Sequence, residues 1–145
     1  MTLTVLSAQL PVVTALVAAV LGLFFVRLAL KVVAARRAAK VSIGDSDDPV
    51  LLRASRVHAN FAEYAPLTLL VMALAEIIGA PWFVILVLGV MLVAGRLLHA
   101  FGLGRESGAF KARVRGMQLT ILALVGASIA AIVMALIAIA GGIAG

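Results

Sequence analysis

The sequence predicts an all-α fold: an integral membrane four-helix bundle occupying residues 1–145 as one domain. Three observations carry this. Of 145 residues, 65% are hydrophobic and only 12% charged, whereas an ordinary soluble domain is roughly 45–50% apolar. The apolar residues gather into four runs, each near the length of about 20 residues that crosses a hydrocarbon layer. The twelve Lys and Arg fall in two clusters, from Arg27 to Arg56 and from Arg96 to Arg115. In a membrane protein such clustering reports orientation, so the net charge of +6 points to no nucleic acid partner. With no cysteine, disulfides, thiolate metal sites and cysteine nucleophiles are excluded.

The first span is expected from about Leu6 to Val33. Met1 to Gln9 carries no positive charge and the apolar run exceeds a short signal-peptide core, so the segment is expected to stay in the mature protein. Val41 to Pro49 is a turn-rich loop with Gly44, Asp45, Asp47 and Asp48. It is read as a solvated connector whose aspartates cap the next helix. The second span runs from about Val57 to Ile78 and ends at the tight turn Gly79-Ala80-Pro81. The third runs from about Trp82 to Leu103, with Trp82 as an interface anchor. The fourth runs from about Met117 to Ile143, where Gly126, Ala127, Ala130 and Ala131 allow close helix packing. The basic residues are assigned to the first and third connections. The positive-inside rule therefore places both basic loops in the cytoplasm and both termini outside.

The polar residues within the spans are the informative ones. Arg56, Asn60 and Glu63 lie on one stripe of the second helix, Arg53 and Tyr64 flank it, and His58 points to the opposite side. A carboxylate two turns into a bilayer is costly unless it is paired or lines a polar cavity. Glu63 is thus a candidate functional group, with Arg56 or a cation on a neighbouring helix as partner, or else an interhelical clamp. Pro66 removes a backbone donor and favours a kink near Glu63. Arg96 and His99 share a face of the third helix, where they either line the same cavity or serve as a snorkelling anchor and an interface residue. Arg113 and Arg115 open the fourth span. Glu76 falls on a different surface and is read as an interfacial carboxylate. No spacing of His, Asp and Glu makes a metal site, and no phosphate loop or nucleophile elbow is present. The chemistry on offer is electrostatic. Arginines take carboxylates bidentately, Glu63 takes an ammonium, and a guanidinium stabilises a thiolate, which suits a small zwitterionic anion.

At these residues the chain resembles the family of membrane-associated proteins in eicosanoid and glutathione metabolism, most closely its bacterial branch. Ala35-Arg36-Arg37-Ala38-Ala39-Lys40-Val41-Ser42 is similar to the basic end of the family's first helix. Arg53-x-x-Arg56-x-His58-x-Asn60-x-x-Glu63-Tyr64-x-Pro66 resembles its second-helix signature, and Gly95-Arg96-Leu97-Leu98-His99 with Gly102 its third-helix motif. The resemblance implies a homotrimer of left-handed four-helix bundles in the bacterial inner membrane, with glutathione as cosubstrate between neighbouring subunits near the cytoplasmic side. It implies that Arg36, Arg53, Arg56, His58, Asn60, Glu63, Tyr64 and His99 hold glutathione. Arg115, or else Arg113, would activate the thiol. Leu103 stands where a pocket tyrosine is expected, and Gly116 where prostaglandin synthase has a serine.

The function so implied is a glutathione-dependent transferase or peroxidase acting on small hydrophobic electrophiles that partition from membrane lipid. Two alternatives of other classes remain: a non-catalytic binding or scaffold protein of the same fold, and a small proton-coupled exporter using Glu63.

Overall fold

Four helices follow one another along the chain: α1 Val12–Ala39, α2 Pro49–Ile78, α3 Trp82–Leu103 and α4 Phe110–Ala140. The computed structural model describes residues 10–44, 47–104 and 109–142. All four helices are long and apolar enough to cross a membrane, and large apolar side chains such as Leu23, Val90 and Ile132 stand exposed along them. Such faces are unfavourable in water and ordinary in lipid.

Three helices are longer at one end than the apolar runs predict. α1 continues to Ala39 rather than stopping near Val33, α2 starts at Pro49 rather than Val57, and α4 starts at Phe110 rather than Met117. The reason is that helix geometry does not end where the hydrocarbon ends; it ends at capping and turn residues. α1 closes on Lys40 in the left-handed conformation (φ 55°), whose amide donates to the carbonyls of Arg36 and Arg37. α2 opens with Asp48, whose Oδ1 accepts from the amides of Val50 (2.7 Å) and Leu51 (2.9 Å), and with Pro49 in the first turn, where its missing amide is harmless. Arg36, Arg37, Arg53, Arg56, Arg113 and Arg115 are therefore helical residues, not members of connections. They share one end of the bundle, the basic end. The expected helical start at Leu6, the end at Ile143 and Asp45 lie outside the described residues.

The core lies between α2 and α3. α1 packs on both from one flank and α4 from the other, and among the described residues α1 and α4 do not meet. α4 approaches α3 through Gly116, Thr120, Ala123 and Ala127, all buried and spaced for one face. A Cβ on Gly116 would collide with the backbone of His99 and stand 2.7 Å from the Gly95 carbonyl oxygen, and one on Gly102 would collide with the Arg113 amide. This glycine-mediated contact brings α3 and α4 to backbone distance, as small residues do in lipid. α2 runs unbroken through Pro66.

At the opposite end Glu76 is not the interfacial carboxylate expected. It is buried, 5% exposed, and accepts from the amides of Val13 and Thr14 at 2.9 Å each and from the Thr14 hydroxyl at 2.7 Å. α1 begins after Pro11 without a side-chain cap of its own. Glu76 supplies one from α2, where a carboxylate also faces the positive end of the helix dipole.

Candidate functional site

The basic end of the bundle contains a cavity of about 360 Å³ whose walls come from α2, α3 and α4. It is lined by Arg53, Arg56, Asn60, Glu63, His99 and Arg113 together with Leu52, Ala59 and Leu103. The stripe on α2 supplies the first four because Arg56, Asn60 and Glu63 repeat at helical spacing. α3 adds His99 one turn above Gly102, and the close approach at Gly102 carries Arg113 of α4 to the same wall.

Beneath the cavity lies a buried network that local sequence spacing does not show. Arg96, expected either to snorkel toward the headgroups or to line the cavity, does neither and is 2% exposed. Its Nε donates to Thr120 Oγ1 at 3.0 Å, and its Nη1 to Asn60 Oδ1 at 3.0 Å and to the Asn60 carbonyl oxygen at 3.2 Å. Nη2 faces Met117 Sδ at 3.9 Å. The guanidinium carbon also lies 5.8 Å from the centroid of the Tyr64 ring, within cation–π range. One arginine thus joins α2, α3 and α4 and orients Asn60 beneath the cavity. Thr120 completes the chain by donating to the Gly116 carbonyl oxygen at 2.9 Å.

Among the described residues, His99, Arg56 and Glu63 present polar atoms to this region without a protein partner. His99 Nδ1 lies 3.3 Å from the Arg113 carbonyl oxygen, while its Nε2 is buried with no hydrogen bond among the described residues. A buried ring nitrogen left unpaired is unfavourable unless a further polar group meets it. The expected ion pair of Arg56 with Glu63 does not form: both side chains are exposed in the single chain, and among the described residues neither has a hydrogen-bond or ion-pair partner. Their polar ends line the cavity and are available to a charged molecule.

Four predicted residues do not line it. Arg36 donates to the Gly44 carbonyl oxygen at 3.0 Å, fastening the end of α1 to the following loop. His58 stacks on Phe25 of α1 with ring centroids 4.6 Å apart, on the flank of α2 turned away from the cavity. Tyr64 lies against Arg96 rather than in the open space. Arg115 is exposed, and of the two arginines on α4 only Arg113 lines the cavity. Among the described residues no cluster of His, Asp and Glu suits a metal ion.

Four helices long and apolar enough to cross a membrane, with a polar cavity at their basic end, define an integral membrane helical bundle. The model of the MAPEG family matches residues 14–133. Over 112 residues the chain is 34% identical to the inner membrane protein YecN of Escherichia coli strain K12, covering 77% of this chain and 84% of that relative. The same figures hold for the inner membrane protein YecN of Escherichia coli O6:H1, strain CFT073. The chain belongs to the MAPEG family. Its four apolar helices and these inner membrane relatives support an integral inner membrane protein.

Proposed function

We propose that this protein is a membrane-bound glutathione-dependent transferase or peroxidase acting on hydrophobic electrophiles. The observation that supports it is the convergence of Arg53, Arg56, Asn60, Glu63, His99 and Arg113 on one cavity, with Nε2 of His99 left unpaired. Glutathione offers carboxylates to the arginines, an ammonium to Glu63 and amide groups to Asn60 and His99. The cavity lies within the size range of small-molecule sites, roughly 300–1,000 Å³.

In this reading Arg113 faces the thiol. As the thiol proton passes to water at the open rim, the guanidinium stabilises the thiolate that remains. The sulfur lone pair then attacks an electrophilic carbon, a C–S bond forms, and the leaving group departs with its electron pair. With a hydroperoxide the thiolate attacks the terminal oxygen and the O–O bond breaks, giving a sulfenic acid and an alkoxide that takes a proton from water to become the alcohol; a second glutathione attacks the sulfenic sulfur, and water leaves as the disulfide forms. Arg36 and His58, on the flank away from the cavity, serve the site of a neighbouring copy in a homotrimer. The basic end faces the cytoplasm, where glutathione is met, and the termini face outward.

The experiment is titration of the detergent-purified full chain with glutathione by calorimetry, following thiolate absorbance in the ultraviolet. Saturable binding with thiolate formation is expected. Binding without thiolate would support the non-catalytic binding protein of this fold, and no binding would overturn the glutathione reading. The exporter reading is not favoured, because Glu76, the carboxylate at the opposite end, is committed to capping α1 and does not continue a path from Glu63.

A further inference from the structure

On the other flank of the bundle, between α1 and α3 with α2 as its floor, lies a groove of about 880 Å³. It is separate from the cavity except for Arg53, which lines both. Its walls are apolar, with Phe24 on α1 and Leu97 and Phe101 on α3, and on the α1 side it carries two cations, Arg27 and Lys31. Among the described residues neither Arg27 nor Lys31 has a hydrogen-bond or ion-pair partner.

That arrangement is unfavourable as it stands. Arg27 and Lys31 are one turn apart on the same helix face, where like charges repel. Arg27 also lies about 22 Å along α1 from Val12 at 1.5 Å per residue, short of the roughly 30 Å depth of the hydrocarbon layer. A cation at that depth needs a counter-charge. The cavity's carboxylate, Glu63, lines the other concavity and cannot supply it. The surrounding solvent that can is the bilayer itself, and basic pockets between spanning helices do take acidic lipid headgroups.

We propose that this groove is a binding site for one acidic phospholipid, with its phosphate between Arg27, Lys31 and Arg53 and an acyl chain along Phe24, Leu97 and Phe101. The net negative headgroup relieves the repulsion between the two α1 cations, which a zwitterionic headgroup does not. The chain fills apolar space that runs from those cations between α1 and α3. The assignment shares Arg53 with the glutathione cavity, but Arg27 and Lys31 belong to the groove alone, and its readout is the lipid.

The test is native mass spectrometry of the full chain released from bilayers that mix phosphatidylglycerol with phosphatidylcholine. Retained phosphatidylglycerol is expected, falling about thirtyfold in an Arg27→Gln, Lys31→Gln double variant if each cation contributes about 1 kcal/mol. An Arg37→Gln, Lys40→Gln variant, which removes the same charge outside the groove, is expected to keep it. Equal retention of phosphatidylcholine, equal loss in both double variants, or displacement by inorganic phosphate alone would overturn the proposal. A second measurement needs no change to the groove. A photoreactive phosphatidylglycerol with its label on the acyl chain is expected to mark Leu97 and Phe101 in the native protein. Labelling confined to other helix faces would overturn it. So would oxidative crosslinking between copies of a Leu98→Cys variant, since the chain has no other cysteine and a second copy would then cover the groove.

Discussion

Arg96 on α3 donates through Nη1 to Oδ1 of Asn60 on α2 at 3.0 Å, so the amide that lines the cavity is oriented by a buried guanidinium outside it. The same guanidinium holds Thr120 on α4. Replacing Arg96 with Leu leaves Asn60 and Thr120 without their donor and unlinks three helices. Interhelical hydrogen bonds in membranes average about 0.6 kcal/mol and reach about 1.7, and three to Asn60 and Thr120 are lost at once. Arg96→Leu is expected to lower stability by about 2 kcal/mol in mixed-micelle unfolding and to weaken glutathione binding through a misplaced Asn60. Arg96→Lys keeps the charge but not the fork, so it should restore part of the stability and little of the affinity. Unchanged glutathione affinity in Arg96→Leu would show that Asn60 is not positioned by this contact.

The four spans and the stripe of Arg56, Asn60 and Glu63 were legible because apolar run length and helical spacing are local properties. Arg53 and His99 joined them for the same reason. What was not legible is long-range. Arg96 and Thr120 are 24 residues apart and Glu76 and Thr14 are 62 apart, and nothing in the local pattern tells a buried bridging arginine from one that snorkels. Helix ends lie beyond the apolar runs because hydropathy reports the lipid boundary, whereas Asp48 and Lys40 set the backbone boundary.

The contact of Gly116 with His99 makes a second expectation. The resemblance puts a serine at Gly116, yet a Cβ there would meet the His99 backbone and stand 2.7 Å from the Gly95 carbonyl oxygen. Gly116→Ser is therefore expected to push α4 off α3 and destabilise by about 1–3 kcal/mol, the range for overpacking. Gly126→Ala, whose Cβ would meet only the flexible end of Leu88 at 2.6 Å, should change stability by less than about 1 kcal/mol. Thermal unfolding of the two variants in one detergent decides it, and equal melting temperatures would disprove the close-approach argument.

The cavity distinguishes the two arginines of α4. Arg113 lines it and Arg115 does not, so Arg113→Ala is expected to reduce thiolate absorbance at saturating glutathione about tenfold or more, in line with removal of one charge-stabilising donor. Arg115→Ala should reduce it less. If Arg115→Ala has the larger effect, the thiol faces Arg115, and that arginine reaches the site of an adjacent copy.

Glu63 is predicted to act on binding rather than on chemistry. Its carboxylate lines the cavity without a partner among the described residues, so Glu63→Gln removes a charge-assisted contact to a ligand ammonium, roughly 1.5–3 kcal/mol, or a tenfold or greater rise in Kd. Stability should be nearly unchanged, because no folded-state contact is lost. The comparison ligand is glutathione with its amino group acetylated. The variant and the native protein should bind that analogue equally, and a persistent difference would place the ammonium elsewhere.

Glu76 provides the opposite case, a carboxylate whose role is structural. It accepts from two amides and a hydroxyl at the start of α1, and the helix has no other side-chain cap there. Glu76→Ala removes all three bonds together, leaving buried donors unsatisfied and the helix dipole unopposed. A loss of about 1–2 kcal/mol is expected by comparison with other cap deletions. The loss should be local: hydrogen exchange at Val13 and Thr14 should quicken, while protection at Asn60 and affinity for glutathione stay as they were. Glu76→Gln separates charge from geometry, since its amide retains one accepting oxygen and should keep part of the protection. Exchange at Val13 and Thr14 that is no faster in Glu76→Ala than in the native protein would show that α1 is held by packing against α2 and α3 alone.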